Sequence, residues 1–519
     1  MKKLALISVS DKTGVVDFAA GLTRHGFTII STGGTLKTLQ DAGISAIEAS
    51  EITGFPECLD GRLKTLHPHI HGGILARRDM PHHMDFLASA GIDTIDLVCV
   101  NLYPFKQTIR KTDDLAQIIE NIDIGGPAML RSAAKNYDAV TVVVDADDYS
   151  SIIAGMELEL EQNSGTTTTD LRFKLAAKAF AHTAGYDAMV AGYLGNLTGA
   201  EAFPDTITLT YEKQQGLRYG ENPHQNAAYY REIIPGASDL VNAKQIHGKE
   251  LSFNNINDTH GALELLRDLG AKPAIVAVKH ATPCGVGTCN NLLGAWQKAH
   301  DADPISIFGG IIAANQPVDA DVATEINKIF VEIVIAPAFT PAALEILTAK
   351  KNIRLLTLNA AKSTGGLDIK KVSGGLLIQD ADDAANLTPT FVTEKQPTTT
   401  EMEDLQLAWV LAKHVKSNGI AIVKNGQSLG LAGGQVNRLW ATQQALDHAI
   451  QFFGADALKG AVMASDGFFP FDDCVALANA AGITAIAQPG GSQNDQASID
   501  ACNKAGIAMA TTGIRHFRH

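Results

Sequence analysis

What most limits how this chain can fold is the alternation of short apolar runs with helical stretches over its first 145 residues. Leu4–Val9 is an almost wholly apolar run of strand length, as expected of a strand covered on both faces. Gly14–His25 has helical periodicity, Phe27–Ser31 reads as the next strand, and Thr35–Asp41 as a helix stopped at Gly43. Asp96–Asn101 and Ala139–Val144 are further strands, with a helix at Asp114–Asn121 between them. Strand-helix alternation predicts a parallel, doubly wound α/β sheet with helices on both faces.

At 519 residues the chain has room for about three domains. The sheet domain is expected over 1–146, and a helical extension over 147–199. In that extension Asp170 is the candidate cap after the polar tract Gly165–Thr169. Pro204 and the run Thr206–Thr210 mark entry to a new module from about residue 200. The remainder mixes strands (Ala274–Lys279, Glu332–Ala336, Arg354–Leu358, Gly419–Val423) with helices (Leu405–His414, Asp473–Ala481). A polar stretch at 380–402 reads as a linker dividing 200–519 into two α/β halves.

The formal net charge is −14, which argues against a broad nucleic-acid surface or a polybasic membrane anchor. No window approaches 18 uncharged apolar residues, and the opening apolar run is too short for a signal peptide. With only six cysteines, a reduced, cytoplasmic protein is expected.

Five polar segments punctuate the sheet domain. Ser10-Asp11-Lys12-Thr13-Gly14 and Ser31-Thr32-Gly33-Gly34-Thr35 each follow a strand and precede a helix. Both read either as capped turns or as anion sites, because a helix N-terminus offers unpaired N–H groups and glycine lets a phosphate approach. Asp60-Gly61-Arg62-Leu63-Lys64-Thr65 brings two cations into a basic loop, either solvated or anion-binding. The adjoining run from His67 to Gly73 reads as a loop of hydrogen-bonding histidines, since it lacks a Cys or Glu at zinc-motif spacing. Asn101-Leu102-Tyr103-Pro104-Phe105 ends a strand, where open α/β sheets place ligands. Asp123-Ile124-Gly125-Gly126-Pro127 opens a helix whose Arg131 and Lys135 share a face. Together the five suit a site of nucleotide-monophosphate size.

In the C-terminal region, Arg218 and Tyr219 precede a turn and could bind a phosphate and stack on a heterocycle. Val278-Lys279-His280 ends an apolar strand. His280 is either structural or a base kept neutral by the neighbouring ammonium. Cys284 and Cys289 are spaced C-x₄-C without a nearby H-x-E, which argues against a zinc deaminase site.

Taken in order, SDKTG, STGGT, DGRLKTLHPHIHGGIL, NLYPF and IDIGGPAMLRSAAKN resemble the cyclohydrolase domain of the bifunctional purine biosynthesis enzymes. RYGENPHQ, VKHATPCG, DPISIFGG, KSNGIAIVKNGQ, AGGQVNR, SDGFFPF and QPGGS resemble their transformylase domain. The resemblance spans nearly the whole chain. It implies a methylglyoxal synthase-like N-terminal domain followed by two cytidine deaminase-like subdomains without zinc. The implied activities are formyl transfer from 10-formyltetrahydrofolate to aminoimidazole carboxamide ribotide (AICAR), giving the formylated ribotide FAICAR, and dehydrative closure of FAICAR to inosine monophosphate (IMP). It implies no metal, no nucleic-acid or membrane partner, and a homodimer.

For formyl transfer the resemblance points to Lys279, His280 and Asn418, with Arg218, Tyr219, Phe308, Gly309, Glu332 and Arg438 lining the ribotide site. Phe471, Gly491, Ser492 and Arg515 would lie toward the folate. For ring closure it points to Lys135 as proton carrier, supported by Lys64, Tyr103 and Asp123. Ser10, Lys12, Thr13, Ser31, Gly33, Gly34, Thr35, Arg62, Thr65, Asn101 and Gly125 would bind phosphate and ribose. Two departures from the family pattern are Ala338 in place of a common Gly, and Asp472-Asp473-Cys474 in place of Arg-Asp-Asn. A nucleotide-sensing regulatory protein on the same N-terminal fold is the alternative; it predicts binding without turnover.

Overall fold

The computed structural model describes residues 2–160, 167–199, 203–361 and 366–519. The chain forms two compact units, Met1–Tyr211 with Glu232–Ile234, and Glu212–Arg231 with Pro235–His519. The expected module boundary near residue 200 falls on 200–202, outside the described residues.

The first unit is built on β1 (Lys3–Val9), β2 (Phe27–Ser31), β3 (Ala46–Glu48), β4 (Leu97–Asn101) and β5 (Thr141–Val143). They pair in the order β3-β2-β1-β4-β5, all parallel. Leu4, Leu6, Ile29, Val98 and Val142 are buried in one continuous core with residues of the surrounding helices. The 147–199 region is helical as expected, at Tyr149–Leu160 and Thr169–Thr198. Its cap differs from expectation. Thr168 takes the position, its hydroxyl accepting the Leu171 N–H at 3.2 Å, and Asp170 lies inside the first turn. Gly165 and Thr166 of the polar tract lie outside the described residues.

Pro68–Leu75 is a helix, not a loop. The His67 ring accepts the His69 N–H at 3.2 Å as an N-cap, and Pro68 occupies the first turn, where its missing N–H costs nothing. Gly73 sits inside this helix because a Cβ there would meet the Asp93 carbonyl oxygen at 2.5 Å.

Two short strand pairs stand apart from the sheets: β6 (Tyr211–Leu217) with β7 (Ala227–Glu232), and the antiparallel pair β14 (Leu367–Val372) with β15 (Gly375–Asp380). The large sheet has twelve strands. Its first half holds β8 (Lys244–His247), β9 (Ala274–Lys279), β10 (Thr282–Thr288), β11 (Ile311–Ala314), β12 (Ile333–Ala336) and β13 (Arg354–Thr357). Its second half holds β16 (Thr390–Phe391), β17 (Ile420–Lys424), β18 (Gln427–Ala432), β19 (Val462–Ser465), β20 (Ala485–Gln488) and β21 (Ala508–Thr511). The order is β16-β21-β20-β19-β17-β18-β10-β9-β11-β12-β13-β8. Read outward from the central β10–β18 pair, the two halves repeat the same topology.

Alternation along each strand separates the faces. Ala274, Val276 and Val278 join Ala421 and Val423 in one core under the helices Phe253–Asp268 and Thr399–His414. Ile275 and Ala277 face a second core, and Ile420 and Ile422 a third. The 380–402 stretch is more than a linker: it contributes edge strand β16 and the start of the Thr399–His414 helix. Thr398 and Glu401 form a reciprocal capping box there, a signal written as T-x-x-E in the sequence.

Candidate active sites

In the first unit the anion-suited segments converge at the C-terminal ends of β1, β2 and β4. The Gly33–Asp41 helix begins two residues before its expected start, so Gly33, Gly34 and Thr35 supply its first N–H groups, which have no intrahelical partner. Two ammonium groups flank this terminus. A Cβ at Gly33 would lie 3.8 Å from Lys64 Nζ, and one at Gly34 would lie 3.7 Å from Lys12 Nζ. Lys12, Lys64 and a positive helix end thus surround one small volume, the arrangement a phosphate requires.

The neighbouring loop is held in place from below. Asn101 Oδ1 accepts the backbone N–H groups of Ser10 and Asp11, and its Nδ2 donates to the Asp11 carbonyl at 2.9 Å. Asp11 in turn accepts from the Thr13 N–H and hydroxyl at 2.9 and 2.7 Å. The hydroxyls of Ser31 and Thr35 are buried and donate to the carbonyls of Ile7 and Val9, so these two side chains are committed to the sheet. Glu57 pairs with Lys64 at 3.0 Å, a partner that sequence reasoning missed.

Asp123 lies beside this corner. Its carboxylate caps the Gly125–Lys135 helix, accepting the Gly126 N–H at 2.8 Å, and also accepts the Tyr103 N–H at 3.3 Å. Its own N–H donates to the Tyr186 hydroxyl at 2.8 Å, a contact nothing in the local sequence announced. Burial raises the Asp123 carboxyl above the usual range, with the two N–H groups pulling the other way. A Cβ at Gly125 would stand 3.4 Å from the buried Thr65 hydroxyl, which ties this helix to the Lys64 loop.

Two predicted residues stand off. Arg62 is exposed and ion-paired with Glu120. Lys135 is the last residue of a helix that begins at Gly125, so it sits about 15 Å further along the axis than the glycine pair. Arg131, one turn earlier, lies over the Phe180 ring at 5.6 Å.

In the second unit the predicted residues gather by topology. The pairing directions bring to one edge of the sheet the end of β9, the starts of β11, β12 and β17, and the ends of β18, β19, β20 and β21. Those termini carry Lys279 and His280, Phe308 and Gly309, Glu332, Asn418, Arg438, Ser465 and Asp466, Gly491 and Ser492, and Arg515. β9 and β17 are three strand spacings apart, so a ligand of roughly 14 Å would reach from one to the other.

Lys279 Nζ donates to the Phe308 carbonyl at 2.6 Å, and a Cβ on Gly309 (φ 71°) would stand 3.1 Å from the same ammonium. Phe308 is exposed, its ring 5.5 Å from that of Phe330. Glu332 accepts from the buried Arg354 at 2.6 Å. His280 and Ala281 are the two central residues of the β9–β10 hairpin, both at φ 54°. This left-handed conformation costs a residue with a Cβ about 1–2 kcal/mol. The ring of His280 is thereby exposed at the edge instead of packing along the strand.

Asn418 is held from two sides: its N–H and its Nδ2 both donate to the Gln435 carbonyl, at 3.0 and 2.7 Å. The adjacent Ser417 exchanges hydrogen bonds with Arg518, its N–H donating to the Arg518 carbonyl at 3.0 Å and its hydroxyl accepting the Arg518 N–H at 3.2 Å. Beneath them lies Asp466, with 0 % of its surface exposed. It accepts from Arg438 and from the Ser417 hydroxyl, and its carbonyl accepts the His516 N–H at 2.9 Å. Sequence reasoning saw Asp466 only as part of an aromatic turn.

Arg218 lies over the Tyr219 ring at 5.5 Å, beside a turn closed by the Gly220 N–H donating to the Gln225 carbonyl at 2.7 Å. Phe471 is exposed, and Arg515 lies over Phe517 at 4.7 Å. Cys284 and Cys289 pack against the core of the first half. Among the described residues no three His, Cys, Asp or Glu side chains are grouped to hold a metal ion, and no helix is long and apolar enough to cross a membrane.

Residues 133–448 match the family described as AICARFT/IMPCHase bienzyme, and residues 14–128 match the MGS-like domain. The Bifunctional purine biosynthesis protein PurH of Acetivibrio thermocellus is 56% identical over 525 residues, covering 100% of both chains. The proteins of the same name from Ruminiclostridium cellulolyticum and Listeria monocytogenes are 53% and 54% identical, again over 100% of both chains. A solved structure titled Crystal structure of ForH is 40% identical and covers 38% of this chain and 100% of its own, at a TM-score of 0.34. An MGS-like fold joined to the bienzyme region, with full-length identity above half, shows that the chain belongs to the AICARFT/IMPCHase bienzyme family, which joins AICAR formyltransferase to IMP cyclohydrolase in purine biosynthesis.

Proposed function

We propose that the two activities are divided between the two units, with FAICAR closed at the Lys12–Lys64 corner of the first and AICAR formylated at the His280 edge of the second. The observation that carries this reading is the pair Lys279–His280 on an exposed two-residue turn, at the edge where the other transformylase residues gather.

The formyl donor is 10-formyltetrahydrofolate. An aromatic amine is a weak nucleophile, so His280 takes its proton as the nitrogen attacks the formyl carbon. The bond from the formyl carbon to N10 then breaks, and tetrahydrofolate leaves with a proton. Lys279 opposes charge developing on the formyl oxygen. Asn418 orients the reacting groups, Arg218 and Tyr219 take the ribotide, and Phe471, Gly491, Ser492 and Arg515 take the folate. The repeated strand order of the two halves supports reading them as deaminase-like subdomains.

For ring closure, Lys12, Lys64 and the N–H groups of Gly33, Gly34 and Thr35 anchor the phosphate. Asp123 has the best-supported geometry for handling the proton, because it is half-buried, its carboxyl is raised by that burial, and it accepts the Tyr103 N–H. Lys135 rests on the family resemblance alone. Lys135→Ala therefore separates the two: preserved cyclisation of FAICAR removes Lys135 from the reaction and leaves it to Asp123. Lys12→Ala should raise KM for FAICAR on the order of tenfold with a smaller change in kcat, as expected for loss of one surface cation to phosphate. An unchanged KM would move the phosphate elsewhere.

The proposal extends to a cytoplasmic homodimer. Appearance of IMP from AICAR plus 10-formyltetrahydrofolate tests the whole reading, and folded protein that binds nucleotide without turnover would leave the regulatory alternative standing.

A further inference from the structure

Two hairpin turns of the second unit are built alike. β17 and β18 are joined by Asn425 and Gly426, at φ 53° and 71°. The Asp404 carboxylate accepts the N–H groups of both, at 2.7 Å each. β9 and β10 are joined by His280 and Ala281, both at φ 54°, and the Asp258 carboxylate faces the backbone of these same two residues. The aspartates are equivalent. Asp404 is the sixth residue of the 16-residue helix Thr399–His414, and Asp258 the sixth of the 16-residue helix Phe253–Asp268. Each helix begins with a Ser or Thr capping box.

The turns differ in what they need. Asn-Gly is the favoured pair for a hairpin with two left-handed residues, so that turn is stable by its own chemistry. His-Ala carries a Cβ at both positions and is disfavoured there. A turn of this kind persists only where its surroundings over-determine it. Here the surroundings are the Asp258 carboxylate and the close approach of its helix: one turn on, a Cβ at Gly261 would stand 3.1 Å from the Ala281 carbonyl oxygen.

We propose that Asp258 is a positioning residue for formyl transfer, holding the His280–Ala281 turn in the left-handed conformation that presents the His280 ring to the site. The inference rests on His280 being the base of that reaction, and it adds a residue in the role. It also explains the pattern within the repeat: the relaxed turn lies at the opposite edge from the site, and the disfavoured one carries the reactive side chain.

The test uses the full-length protein, with cyclisation of FAICAR as an internal control for folding. Asp258→Ala should lower kcat for formyl transfer on the order of 100-fold, the cost of misplacing a reacting group by about 1 Å, with KM for AICAR within a few-fold of its starting value. Asp258→Asn keeps one acceptor oxygen and should lose less. Ala281→Gly, introduced into Asp258→Ala, relieves the backbone without touching the substrate and should recover at least about tenfold. Asp404→Ala should leave kcat within a few-fold. The proposal is overturned if Asp258→Ala keeps kcat within about threefold while His280→Ala abolishes formyl transfer, or if Ala281→Gly restores nothing. If His280→Ala itself retains formyl transfer, the underlying reading fails instead. Should Asp258→Ala be unfolded, Asp258→Asn with and without Ala281→Gly decides by the same comparison.

Discussion

His280→Ala should lower the rate of AICAR formylation by about 10²–10⁴, the usual contribution of a general base, while FAICAR still closes to IMP at close to the original rate. The residue is exposed at a sheet edge, so its removal opens no cavity and leaves no buried group unpaired. The first unit keeps its own hydrophobic core around β1, β2 and β4, so cyclisation has no structural reason to change. Ala also faces the same backbone cost at φ 54° as His, which separates loss of the ring from loss of the turn. Steady-state rates measured separately with AICAR plus folate and with FAICAR decide it. Formyl transfer within tenfold of the original protein would remove His280 as the base, and loss of both activities in a folded variant would contradict two separate sites.

The second large effect belongs to Asp466. Asp466→Ala leaves the Arg438 guanidinium, 8 % exposed, without its carboxylate, and takes an acceptor from the Ser417 hydroxyl. Breaking one side of a buried ion pair costs about 3–5 kcal/mol. The unfolding midpoint of the second unit should therefore fall on the order of 5–15 °C. Formyl transfer should fall as well, because Ser417 sets the position of Asn418 and Arg438 lines the proposed ribotide site. Combining Asp466→Leu with Arg438→Met replaces the pair by apolar groups and should recover most of the stability without recovering activity. Differential scanning calorimetry beside the formyl-transfer assay checks both halves of this expectation. A midpoint shift under about 2 °C for Asp466→Ala would show that the pair contributes little.

Much of the fold was legible in advance, for particular reasons. Leu4–Val9, Phe27–Ser31 and Asp96–Asn101 are apolar runs of strand length, and covering them on both faces leaves few options besides a parallel sheet. Errors came where a single side chain decides a local structure. The glycines of Gly72-Gly73 suggested a loop, but a histidine cap and Pro68 start a helix there, and the glycine is required by the approach of Asp93. Asp170 and Thr168 are both competent caps, and only the placement of the helix start selects Thr168.

The sites divide in the same way. Short motifs marked Lys12, Gly33, Gly34 and Lys64 as candidate anion-binding residues and Lys279–His280 as a strand-end pair, because glycines and cations there suit either a capped turn or an anion. Asp258 and Asp466 were invisible as functional residues, since a lone aspartate in a helix or a turn carries no spacing signal. The contacts of Asp466 exist only because strand pairing brings Ser417, nearly 50 positions away, into one hydrogen bond with it, and Asp258 meets the His280 turn only through the packing of its helix on the sheet. Local chemistry is written in local sequence. Which carboxylate lies beneath which turn depends on the order and direction of strands in a twelve-stranded sheet, and the packing of the whole core sets that order.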